Sequence, residues 1–187
     1  MQQEQRYFKR LILAALTLGV ALSLTMPAQA KGRPYSDNEV RAVETSDDSR
    51  IRELRAQEVN QLRVALGRRQ PQNRMAELYF RLAQIYAEGY RQEFLLEGRA
   101  HERRIERGTS DPMIDRTRSR PYLELGIKAC REIIGFKIPY EKLDQVYYFL
   151  GFNLNELGRS KDASKAFEEL TRRFPRSVFA GEALRER

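Results

Sequence analysis

Two small residues set at helical spacing among large ones, Gly151 and Ala163, restrict what this chain can fold into more than any other feature. From Asp144 onward, Tyr147, Leu150, Gly151 and Leu154 fall at i, i+3, i+4 and i+7, one face of a helix. Gly158-Arg159-Ser160 breaks the pattern, Ala163, Phe167 and Leu170 resume it, and Pro175 stops it. A small residue on each helix lets the two backbones approach closely, while bulky neighbours fill the seam on either side. The spacing therefore predicts an antiparallel helical hairpin. A hairpin of this kind cannot bury its apolar face alone, so neighbours of the same type are expected.

The order large, Leu-Gly, Leu, small, aromatic, large, Pro resembles the tetratricopeptide repeat, a helix-turn-helix unit of about 34 residues. Stepping by that period finds the neighbours. Val178 to Leu184 reads as the first turns of a further helix, with Ser177 placed to cap it. Upstream, Ala129, Ile133 and Phe136 anticipate Ala163, Phe167 and Leu170 by one period, so Pro121 to Phe136 matches a second helix of the unit. Its first helix is not next door, because Thr109-Ser110-Asp111-Pro112 and Ser119-Arg120-Pro121 are loop chemistry. Tyr79, Leu82, Ala83 and Tyr86 reproduce the first-helix pattern two periods before Tyr147, Leu150, Gly151 and Leu154. The reading is a diverged repeat over 72–136 with a polar insertion at about 106–120, a full repeat over 142–176, and the start of another over 177–187.

At the N-terminus, Arg6, Lys9 and Arg10 precede the apolar stretch Leu11 to Met26, and Pro27-Ala28-Gln29-Ala30 follows. A basic start, an apolar middle and a small-x-small exit make residues 1–30 a secretory signal peptide cleaved after Ala30, with Ala28 and Ala30 defining the cleavage site. The alternative is a retained membrane anchor. The stretch is short for that, since its helix would fall below the ~30 Å hydrocarbon thickness. Residues 31–48 are polar with no sustained period and are expected to be a flexible lead. From about Ser49, Ile51, Leu54, Val59, Leu62 and Leu66 mark a leading helix over 49–67, the antiparallel neighbour of the one starting near Asn73. No segment alternates long enough to argue a strand. The expected fold is all-α, a short right-handed α-solenoid over 49–187.

The chain carries a formal charge of +8; removing Arg6, Lys9, Arg10 and Glu4 with the signal leaves about +6. Export excludes nucleic acid as the partner. It leaves weak association with anionic envelope surfaces as what such a charge favours. The densest basic run, Arg99 to Arg107, is interleaved with Glu and reads as local ion pairing on a solvated face. Little here points to catalysis. The only histidine, His101, is followed by Glu102, but Ile105 stands where a zinc motif needs its second His. His101 therefore reads as a solvated helical residue. The only cysteine, Cys130, has no partner within the chain and reads as a small core residue. Glu168 and Glu169 are adjacent and diverge around their helix, so they cannot act on one bond together. No Gly-rich phosphate loop is present. The chain is read as a non-enzyme without metal or cofactor.

What the resemblance to tetratricopeptide proteins implies is a binding groove lined by the first helix of each repeat. Carried onto this sequence, the groove positions are Gln145, Tyr148, Phe152, Asn155 and Glu156 in the full repeat, Glu77, Phe80, Gln84, Ala87 and Glu88 in the earlier one, and Phe179 and Glu182 in the last, with Phe80, Gln84 and Phe179 the candidates outside the full repeat. The signal peptide followed by Tyr-Phe-Leu-Gly-Phe-Asn-Leu-Asn-Glu-Leu-Gly at 148–158, Ala-x-x-Ala-Phe-Glu-Glu-Leu at 163–170 and Arg-Phe-Pro-Arg-Ser at 173–177 is similar to repeat proteins of bacterial envelope machines. These are the Tol-Pal coordinator, the outer-membrane assembly lipoprotein and the gliding-motility repeat proteins. The Arg-Met-Ala-Glu-Leu-Tyr-Phe-Arg-Leu-Ala-Gln-Ile-Tyr-Ala-Glu block at 74–88 resembles the gliding-motility group most. The resemblance implies a periplasmic adaptor that binds an envelope protein. Two other readings are kept: a peptidoglycan- or glycan-associated helical protein, and an element that self-associates through its last, incomplete repeat.

Overall fold

The computed structural model describes residues 37–108 and 113–185, with side chains from Asp47 onward. The signal peptide and its cleavage residues Ala28 and Ala30 lie outside the described residues. Residues 41–187 form one compact unit. Among the described residues there are six helices and no strand: α1 (Asp37–Leu66), α2 (Gln72–Glu106), α3 (Arg120–Gly135), α4 (Leu143–Glu156), α5 (Ser160–Arg173) and α6 (Val178–Ala183).

The boundaries follow local chemistry. Gly67 and Pro71 separate α1 from α2, and Pro121 sits in the first turn of α3, where its missing N–H costs nothing. Gly158, with φ of 74°, turns the chain between α4 and α5. Ser177 caps α6, its hydroxyl oxygen accepting a hydrogen bond from the Phe179 amide at 3.2 Å. One boundary differs from the sequence reading. The leading helix begins at Asp37 rather than near Ser49, so most of the expected flexible lead is helical. The stretch 37–66 contains neither Gly nor Pro, and nothing in its polar residues stops a helix that apolar contacts anchor further on.

The helices pack as consecutive neighbours: α2 on α3, α3 on α4, α4 on α5, and α6 against both α4 and α5. Tyr79 meets Phe136 while Gly89 meets Tyr122, so α2 and α3 are antiparallel. Phe167 lies over Gly151 and Phe174 beside Tyr147, so α4 and α5 are antiparallel too. Between hairpins, α2 and α4 run parallel. Glu77 bonds Lys142, Phe80 stacks on Phe149, and Tyr90 bonds Glu156. The two hydrogen-bonded pairs are separated by 65 and 66 positions, close to two periods of the repeat pattern.

A single core runs through the stack. Tyr147, Leu150 and Leu154 of α4 are buried against Ala163, Phe167 and Leu170 of α5, with Ala83, Tyr86, Ile127 and Ile133 continuing it toward α2 and α3. α1 joins differently. Val59, Leu62 and Leu66 rest on the core edge, and the remaining contacts are made by long polar side chains. Arg81 pairs with Glu58 at 2.7 Å, Gln92 donates to Asp48 at 3.0 Å, and Arg52 reaches Glu93 at 2.5 Å. Asp48 and Arg52 meet α2 at positions 92 and 93 while Glu58 meets it at 81, so the two helices are antiparallel.

Candidate functional site

The helices that carry the expected groove, α2 and α4, lie side by side, and the eight candidate residues separate into three groups. Phe80 and Tyr148 are core residues at 3% and 7% exposure, which corrects their reading as groove-facing aromatics. Phe80 is stacked on Phe149 at 6.0 Å and meets Tyr140 edge-on. Tyr148 lies 5.2 Å from Phe179 and 6.2 Å from Phe167. Phe179 is half-buried and packed on the same core. The physical reason is the parallel neighbour. A helical stripe accounts for the face that meets its own hairpin partner, whereas the adjacent hairpin and α6 cover the flanking positions as well.

Glu156 forms the second group. Its carboxylate accepts from the Tyr90 hydroxyl and from Arg116 at 3.1 Å, and Arg116 also bonds the Glu156 carbonyl at 3.3 Å. This carboxylate is committed to holding the molecule together. The last group is Gln84, Gln145, Phe152 and Asn155. Asn155 is exposed and the other three are half-buried. Phe152 stays out of the core and out of every ring pair among the described residues. The parallel register of α2 and α4 sets Gln84 level with Phe152. The open part of the face that α2 and α4 share is thus one aromatic ring among three side-chain amides, with the exposed Glu88 and Arg91 beyond them on α2.

Sequence reasoning missed a second constellation. Glu93, Glu97 and His101 follow one another at four-residue spacing on α2, and all three are buried. Glu93 and Glu97 hold the segment Met113–Ser119 that ends the polar insertion. Glu97 accepts hydrogen bonds from the backbone amides of Arg118 and Ser119 at 2.7 and 3.1 Å. Glu93 is bracketed by Arg52 from α1 and Arg118 from the segment. Arg116 lies over the rings of Tyr90 and Phe94 at 5.7 and 5.2 Å and donates to the Tyr90 hydroxyl at 2.8 Å. The segment is a strap tying α2 to the end of α4. His101 is 8% exposed, with Nδ1 3.4 Å from Arg104, which corrects its reading as a solvated residue. The four-residue spacing of these groups was the available signal, and the surrounding run of charges concealed it.

Cys130 is fully buried, and burial pushes its thiol up to about 12, so it is a packing residue rather than a nucleophile. Tyr140 is likewise raised, by burial first and by Glu77 next. Among the described residues no group of three His, Cys, Asp or Glu side chains is placed to hold a metal. No helix among them is long and apolar enough to cross a membrane. The chain has no match among protein-family profiles, curated proteins or solved structures.

Proposed function

We propose that this chain is an exported adaptor of the tetratricopeptide type, a short right-handed solenoid in the bacterial periplasm. It holds a segment of an envelope protein against its inner face and performs no chemistry of its own. The observation that carries the reading is Phe152. It is a half-buried aromatic on an inner helix, outside the core, flanked by Gln145 and Asn155 and level with Gln84. A rigid ring gives contact area at low entropic cost, and side-chain amides can pair with both the donors and the acceptors of a peptide backbone. The parallel α2 and α4, related by two periods of the sequence pattern, support the solenoid. The basic, apolar and Ala28-Gln29-Ala30 segments support export.

The test is a photo-reactive residue introduced at Phe152 in the native host, with Lys161 on the exposed side of α5 as the control position. Tyr148 is unsuitable because it is buried. One discrete envelope protein captured from Phe152 and absent from Lys161 is the expected result. An identical smear from both positions would sink the reading. Purification of the exported chain is expected to give an N-terminus at Lys31; an intact Met1 would replace export with a retained anchor.

A further inference from the structure

The connectivity brings three turns to one end of the stack: 67–71 between α1 and α2, 136–142 between α3 and α4, and 174–177 between α5 and α6. Each turn is basic. Arg68 and Arg69 are exposed on the first, with Arg74 in the opening turn of α2; Lys137 is exposed on the second and Arg176 on the third. None of these five cations forms an ion pair with a described residue. Arg173 lies beside them, over the rings of Tyr147 and Phe174. The one strongly exposed acid on these turns, Glu141, is 3.8 Å from Lys142.

Helix stability accounts for part of the arrangement, since Arg68, Arg69, Lys137 and Arg176 follow the C-terminal ends of α1, α3 and α5, where the macrodipole favours a cation, but not for all of it. Arg74 stands at a helix N-terminus, where the macrodipole disfavours a cation, and no acid offsets it in that first turn. Lys137 has φ of 54°, the only non-glycine residue with positive φ among those described. That conformation suits Gly or Asn far better than a lysine. The opposite end contrasts with this one. There Arg116, Arg118 and Arg159 are paired with Glu156, Glu93 and Asp162, and Arg103 and Arg107 alternate with Glu102 and Glu106. On the turn edge the exposed cations outnumber the acids, with Glu141 alone among the turn residues to offset them.

We propose that this edge docks on a bilayer surface rich in anionic phospholipid, presenting Arg68, Arg69, Arg74, Lys137 and Arg176 to the headgroups. The cations are spread along three turns instead of converging on a point, which suits a field of charges better than a single bound anion. Exposed Pro71, Pro139 and Pro175 and the largely exposed Val178 give the same turns small apolar tips that the headgroup layer tolerates. No exposed aromatic on these turns offers a stacking platform for bases. The surface is separate from the inner face, so docking does not depend on a partner at Phe152.

The experiment is flotation of the full chain with phosphatidylcholine vesicles, with and without about a third phosphatidylglycerol, over a salt series. One variant combines Arg68→Gln, Arg69→Gln, Lys137→Asn and Arg176→Gln. A control removes equal charge elsewhere, through Arg99→Gln, Arg103→Gln, Arg107→Gln and Lys165→Gln. Circular dichroism checks that both remain folded, and any contribution of the N-terminal 1–30 is common to all three proteins. The expected result is binding that requires phosphatidylglycerol and fades as salt shortens the Debye length from about 10 Å at 0.1 M to about 3 Å at 1 M. The turn variant is expected to lose at least about tenfold in partitioning, and the control much less. Equal losses in both variants, or binding indifferent to phosphatidylglycerol, would overturn the proposal. So would binding of soluble polyphosphate without binding of vesicles. A Phe152→Ser variant is expected to float like the parent, which keeps this outcome distinct from failure of the groove.

Discussion

Gly151 has no room for a side chain, because a Cβ there would run into the ring of Phe167, itself only 1% exposed. Gly89 and Gly126 are in the same position against Tyr122 and Asn153, so close approach recurs along the stack. Gly98 differs, since a Cβ at that point of α2 would meet nothing within 4 Å. Two alanine substitutions of identical chemistry should therefore have opposite signs. Gly151→Ala must displace a locked aromatic and is expected to cost about 1–3 kcal/mol. Gly98→Ala removes backbone freedom from the unfolded chain and should add about 0.5–1 kcal/mol. Urea denaturation of both variants checks this, and a neutral Gly151→Ala would mean that Phe167 does not lie over α4. The seam at Gly151 and Ala163 was legible in the sequence because small residues break an otherwise bulky stripe. The burial of Phe80 and Tyr148 was not, since a stripe records contact with one partner helix and these rings are covered by another hairpin and by α6.

At the level of elements, most helix ends could be read from Gly, Pro and Ser, but the strap could not. Its fastening is a pair of backbone amides donating to one buried carboxylate oxygen of Glu97, and backbone donors leave no trace in residue type. Removing that acceptor makes a defined prediction. Glu97→Ala leaves the Arg118 and Ser119 amides without their partner, at an expected cost of about 1–3 kcal/mol. Glu97→Gln retains a carbonyl oxygen able to accept from both and should lose much less. Hydrogen exchange is the discriminating measurement, because the two amides report on the strap alone. Their exchange should quicken in Glu97→Ala while the core amides of α4 stay protected. Unchanged exchange at 118 and 119 would show that Arg116 and Arg118 hold the strap without Glu97. Loss of the strap also frees Arg116 from Glu156, so the end of α4 would expose a carboxylate that the native fold keeps occupied.

At the scale of the whole molecule, most of the buried apolar residues among those described form one cluster from Ala76 of α2 to Ala183 of α6, crossing every hairpin boundary on the way. That continuity decides how the stack should fail. In a long repeat array each unit contacts only its neighbours, and a damaged unit can melt while distant ones persist. Here α4 is sandwiched between α3 and α5 and touched by α6, so the α4–α5 hairpin has no remote half to survive it. Ala163 is the position to probe, at 2% exposure in the seam between α4 and α5. Ala163→Arg forces a long charged side chain into a space filled by an alanine, combining overpacking with an unpaired buried charge. The sum is several kcal/mol against a total stability of about 5–15 kcal/mol for a domain of this size. The variant is thus expected to unfold cooperatively or to melt far below the parent, with helix content and aromatic packing lost in one transition. Far- and near-ultraviolet circular dichroism followed together test that directly. Coincident curves fit one core; a variant that keeps α2 and α3 helical after α4 and α5 have melted would show that the hairpins are stable separately, and a variant that melts like the parent would refute the seam.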